Sequence, residues 1–137
     1  MQILSWHVVL VGVLAGFLLA ALDAVLFGTP LAQHFQVAYR PISRRRVKIR
    51  LGLCVDVVSA LVLAVIFVAV AGVLPKGRVL SGLTFGGFLW FVRSVMSVGR
   101  NAVMFSVDWR THLYSLVGGL VQFVALGLFY GFALSPR

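Results

Sequence analysis

The sequence predicts an all-α integral membrane protein, with four transmembrane helices in an up-down bundle forming a single domain over residues 1–137. Three observations lead there. Of the 137 residues, 61% are hydrophobic and only 11% charged, whereas soluble domains are about half apolar and about a quarter charged. Four apolar stretches, 8–27, 51–74, 79–98 and 113–134, each reach the roughly 20 residues that a helix needs to cross a bilayer core. These runs are continuous, unlike the alternating segments of about ten residues that build membrane barrels.

The first stretch follows "MQILSWH", which carries no Lys or Arg. It is also longer than the apolar core of about 7–15 residues found in signal peptides, so it is expected to be retained. Its run "GFLLAALDAVLFGTP" holds Asp23, one of only three acidic residues in the chain.

The connection to the second span, "GTPLAQHFQVAYRPISRRRVKIR", contains Arg40, Arg44, Arg45, Arg46, Lys48 and Arg50; the connection from the third span to the fourth adds Arg100 and Arg110. The opposite side has Lys76, Arg78 and Arg137. Short loops rich in Lys and Arg stay cytoplasmic. The expectation is therefore an inner-membrane protein with both termini outside, on the periplasmic side, and connections 28–50 and 99–112 inside. The net charge of +9 then has a lipid explanation. Arg44, Arg45, Arg46, Lys48 and Arg50 set topology and attract anionic headgroups, with no nucleic-acid partner required. Within this connection Pro30 and Pro41 bound a short interfacial helix, with Phe35 and Tyr39 on its lipid side. Ser43 suits the N-cap of the next helix. Trp6 and Tyr130 are expected near the outer interface, and Tyr39, Trp109 and Tyr114 near the inner one.

The second span carries Asp56 and the lone Cys54, read as a small buried hydrophobe; one cysteine excludes an intramolecular disulfide. "LPKGR" at 74–78 is a Pro/Gly turn, predicting an antiparallel hairpin of the second and third spans. The third span carries Arg93 in its last third. With this topology Asp23, Asp56 and Arg93 lie at similar depth, in the inner part of the membrane.

The first and third spans share a pattern. Gly12 and Gly16 are followed by Asp23, and Gly82 and Gly86 by Arg93, with the same spacing. Each set falls on one helix face, and small residues four apart let helices approach closely in lipid. The repetition matches a two-helix unit used twice. It predicts that the two glycine faces pack together and that Asp23 pairs with Arg93. Either charge alone would cost about 2.5–3.5 kcal/mol at the bilayer centre. Asp56 is expected to share Arg93 or to reach Arg100. The deep Trp90 fills a helix contact or faces a cofactor. In the fourth span Ser115, Gly119 and Gln122 share a face, and Gln122 is expected to make an interhelical hydrogen bond.

No catalytic grouping emerges. His7, His34 and His112 form no helical pair three or four residues apart, and no triad of the nucleophilic type or phosphate loop is visible. No metal or cofactor site is read from the sequence. The first expectation is a non-enzymatic small membrane protein acting by helix association, as a homo-oligomer or as an accessory or assembly subunit of a larger membrane complex. The alternative is a small proton- or ion-coupled transporter using the intramembrane charge cluster Asp23, Asp56, Arg93 and Arg100.

The stretches "ALDAVLFG", "VLSGLTFGGFLW" and "LVQFVALGLFYG" resemble those of uncharacterised four-span bacterial inner-membrane families of unknown function. Those families often have an aromatic pair where Leu22–Asp23 stands here. The resemblance covers most of the chain and implies a fold and a location, with no activity to carry over.

Overall fold

A computed structural model describes residues 5–35, 49–104, 106 and 108–134. Helix α1 spans Trp6–Phe27, α2 Pro30–Phe35, α3 Ile49–Val70, α4 Arg78–Trp90, α5 Met96–Met104 and α6 Trp109–Leu134. A π-helical turn, Phe91–Val95, joins α4 to α5, making one continuous rod over Arg78–Met104. Four helices are long and apolar enough to cross a membrane: α1, α3, the α4–α5 rod and α6. The chain is a multi-pass membrane protein of the all-α class.

Local chemistry sets the ends. Ser5 caps α1 by accepting from the Val8 backbone N–H at 3.4 Å. Thr29 does the same for α2, accepting from Ala32 N–H at 3.3 Å, and Pro30 opens that short helix at the position where its missing N–H costs nothing. The second span ends at Val70 and not at residue 74. Its last turn gives way at 71–74 to the Pro75–Gly77 bend, where Gly77 takes φ 118°, a conformation that favours glycine. The third span runs beyond residue 98 to Met104. Ser43, Tyr39, Arg44, Arg45, Arg46 and Lys48 lie outside the described residues, as does the predicted stop of α2 before Pro41.

The expected packing of the first glycine face on the third span is not what forms. Gly12 and Gly16 meet α3: a Cβ on Gly12 would lie 2.6 Å from the Leu61 side chain, and one on Gly16 2.6 Å from Val57 Cα. Gly82 and Gly86 meet α6, where a Cβ on Gly82 would lie 2.6 Å from the Gly127 carbonyl oxygen and one on Gly86 would strike that of Phe123. Each glycine pair thus seats the following span in sequence, giving two antiparallel pairs, α1 with α3 and α4 with α6. The physical reason is complementarity. Gly127 and Gly131 remove side chains from α6 where Gly82 sits, so backbone meets backbone there.

The two pairs are joined chiefly where α1 lies along α6. The predicted hairpin of the second and third spans is connected by its turn, but α3 and α4 do not pack along each other. Toward that turn a ring cluster closes the core. Phe67 of α3 stacks edge-on against Phe85 of α4, centroids 5.0 Å apart, and Tyr130 of α6 lies against both. Tyr130, expected at an interface, is wholly buried and donates to the Ala60 carbonyl at 2.6 Å. The small Ala60 and Ala64, themselves buried, leave room for its ring. Cys54, expected inside, is exposed, on a face of α3 that the other helices leave uncovered.

Substituting Gly86 by Ala drives a methyl group into the α6 backbone, which cannot rotate away. Overpacking of this kind costs about 1–3 kcal/mol. Gly87→Ala meets nothing within 4 Å and is expected to leave stability unchanged or raise it, glycine being about 1 kcal/mol worse than alanine in a helix. Thermal unfolding in detergent of the two variants measures the contrast between neighbouring positions.

Candidate functional site

Asp23, Asp56 and Arg93 all line one cavity of about 280 Å³. It lies in the half of the bundle away from the Phe67–Phe85–Tyr130 cluster, between α1, α3, the π turn with α5, and α6. Its size is at the lower end of the ~300–1,000 Å³ typical of small-molecule sites. A gap between helices explains its existence: α3 does not pack along the α4–α5 rod, and the space between them is left open.

Each wall supplies polar groups. Helix α1 contributes Asp23, seven residues after Gly16 and at the edge that faces both α3 and α6. Helix α3 contributes Asp56 and, one turn on, Ser59. The rod contributes Arg93, Ser94, Ser97 and Asn101, and α6 contributes Ser115 and Gln122. The π turn shapes this wall. It winds less per residue than an α-turn, so Arg93 is rotated off the glycine face that extends from Gly82 and Gly86, and its side chain is exposed. Such turns within α-helices occur frequently at functional sites. Ser94, in the same turn, presses on Gly119 of α6, where a Cβ would collide with its hydroxyl.

The predicted Asp23–Arg93 ion pair is not formed. The Asp23 carboxylate accepts a hydrogen bond from Gln122 Nε2 at 2.6 Å, so Gln122 does make an interhelical bond, with an ionisable partner. Arg93 lies within electrostatic reach of both carboxylates, yet no salt bridge joins it to either among the described residues. The physical reason is that the glycine face leading to Arg93 meets α6 and not α1, so Asp23 and Arg93 are not carried on facing surfaces. Asp56 likewise has no hydrogen bond or ion pair among the described residues. Arg100 is exposed and does not line the cavity, so Asp56 does not reach it. Of the basic lipid-facing set, Arg50 is described and exposed.

Two flanking contacts fix the cavity rim. Trp90 donates its indole N–H to the Leu116 carbonyl at 2.9 Å, binding the rod to α6; the deep tryptophan serves a helix contact. Tyr114 donates its hydroxyl to the Leu26 carbonyl and meets Phe27 edge-on, tying α6 to the end of α1.

The sequence reading missed Ser59, Ser94, Ser97 and Asn101. A signal was present: Ser97 and Asn101 follow Arg93 by four and eight residues, and Ser59 follows Asp56 by three, so each forms a polar stripe with a charge already noticed, while Ser94, next to Arg93, shares the spacing of Ser97 and Asn101. The π turn had no such signal.

Comparison of the chain with family models, with curated proteins and with solved structures returned no match.

A double-mutant cycle separates the observed partner from the expected one. Asp23→Ala with Gln122→Ala should show a coupling between about 0.6 and 1.7 kcal/mol, the mean and the maximum for interhelical hydrogen bonds in membranes. Asp23→Ala with Arg93→Ala should show a smaller coupling than this, because no bond joins the two and they act on each other only across the cavity. Reversible unfolding in mixed micelles gives both values.

Proposed function

We propose that the protein is a small proton-coupled transporter of a polar solute, seated in the inner membrane with both termini outside and operating as a homo-oligomer. The observation that carries this reading is that Asp56 and Arg93 line the same cavity without pairing to each other. Ionisable groups within membrane helices are costly and mark substrate or ion pathways. A purely structural pair would be closed. An accessory subunit needs packing faces and a fixed topology, and gains nothing from a polar cavity with two charges that are unpaired among the described residues.

The charge balance supports proton coupling. Two carboxylates face one guanidinium, leaving one negative charge in excess, which a single proton neutralises. Asp23 is the residue placed to take it. Gln122 serves either form, because its amide N–H donates to a carboxylate and its amide oxygen accepts from a protonated acid. The orientation rests on the arginines and lysine of the 28–50 connection, which favour the cytoplasmic side and anionic lipid there.

Solid-supported-membrane recordings on reconstituted vesicles test the reading. Small zwitterions, cations and anions are applied in turn, with empty vesicles as baseline. At least one solute is expected to evoke a transient current that Asp56→Asn and Arg93→Gln abolish and Gly87→Ala preserves. Silence to every class contradicts transport.

A further inference from the structure

The contacts reveal an equivalence that the sequence pattern only half shows. One shift along the chain carries Gly12 to Gly82, Gly16 to Gly86 and Asp23 to Arg93. A second shift, fixed by what those glycines touch, carries Val57 to Phe123 and Leu61 to Gly127. That second shift also carries Asp56 to Gln122. The pair α1–α3 and the pair α4–α6 are therefore matched in direction and in their glycine contacts, and under the same two shifts their polar residues correspond: Asp23 with Arg93, and Asp56 with Gln122.

Under this correspondence the hydrogen bond from Gln122 to Asp23 has a counterpart, the contact of Asp56 with Arg93. The first contact is made and the second is not. On the side where it is missing, the cavity opens between α3 and the π turn, with a carboxylate and a guanidinium on its walls. Neither charge has a partner among the described residues, and the two have opposite sign.

We propose that this half of the cavity binds a small zwitterion that bridges the unmade contact, its ammonium group on Asp56 and its acid group on Arg93. The assignment rests on the transport reading above and names the class of its substrate. An ammonium offers three donors to the Asp56 carboxylate and the neighbouring Ser59 hydroxyl, and a carboxylate matches the guanidinium fork. Ser94 and Ser97 lie beside Arg93 on the cavity wall and offer further hydroxyls to the acid end. A ligand carrying both charges leaves the balance of the site unchanged. The excess negative charge then remains on Asp23, outside the bridge and held by Gln122, free to be neutralised by a proton. A simple cation would satisfy Asp56 and leave Arg93 bare; a simple anion would do the reverse.

Three matched probes test this on the full protein in lipid nanodiscs: L-alanine, ethylamine, which lacks its carboxylate, and propionate, which lacks its ammonium. Binding is read by calorimetry and by the shift in unfolding temperature. Alanine is expected to bind, and each single-charge probe to bind about fivefold more weakly, the scale of an ion pair made to a solvent-exposed guanidinium. Arg93→Gln should erase the preference for alanine over ethylamine, and Asp56→Asn the preference for alanine over propionate. The wild-type comparison stands even if a variant fails to fold. Ethylamine binding as tightly as alanine makes this a cation site, and propionate doing so makes it an anion site. Either result overturns the zwitterion assignment and leaves transport standing. No response to any of the three overturns it as well, and the transport reading falls with it only if the solid-supported-membrane recordings are also silent.

Discussion

The hydrogen bond from Gln122 to Asp23 couples the two halves of the molecule and determines what is left over. It crosses from α6 to α1, the seam along which the pair α1–α3 meets the pair α4–α6. In lipid, helices gain little from burying apolar surface against each other, and association depends on close packing and interhelical hydrogen bonds. Gln122 supplies one of those bonds at the seam, and the Trp90 and Tyr114 contacts flank it. By engaging Asp23 it also removes that carboxylate from competition for Arg93. The guanidinium and Asp56 then face the cavity together, and the polar character of the site follows from this division.

The rest of the architecture is a consequence of where backbones can approach. Glycines at the α1–α3 and α4–α6 contacts let each pair close, and the second pair meets backbone to backbone because both sides contribute glycine. Where no such stripe exists, between α3 and the rod, the helices stay apart, and the ring cluster of Phe67, Phe85 and Tyr130 props them at one end. The gap at the other end is the cavity. Packing and site are thus two readings of the same small-residue pattern. The π turn is a further asymmetry between the halves, since its counterpart in α1 is ordinary α-helix.

Much of the fold was legible in the sequence because lipid imposes strong, local rules. Length and apolarity located all four helices, and the Pro-Gly turn located the connection at 74–78. The depth alignment of Asp23, Asp56 and Arg93 also emerged, and the structure places these three on one cavity. What the sequence could not decide was partner choice. A glycine face states that something approaches closely and not what does, so α3 as the partner of Gly12 and Gly16 is not legible in the sequence. The pairing of Asp23 with Arg93 failed for a related reason: charge suggests the opposite charge, while Gln122, a neutral amide, had the geometry. Tyr130 and Cys54 exchanged their expected environments because burial here depends on which face of a helix meets a neighbour, a tertiary property. The correspondence of Asp56 with Gln122 became visible only once the helix contacts fixed the register between α3 and α6.

The account stands on the cavity being a watered, accessible site between unpaired charges, and thiol labelling tests that most directly. In a Cys54→Ser background, Ser59→Cys places a thiol on the cavity wall, and Val62→Cys places one on the same helix, on a side the other helices leave exposed. A membrane-impermeant thiol reagent is applied to open membrane fragments. It requires water, because the thiolate reacts and the thiol does not. Rapid labelling at position 59 with none at position 62 is the predicted result. Equal silence at both positions would mean a dry, closed interior, and would contradict the assignment of Asp56 and Arg93 to a ligand site.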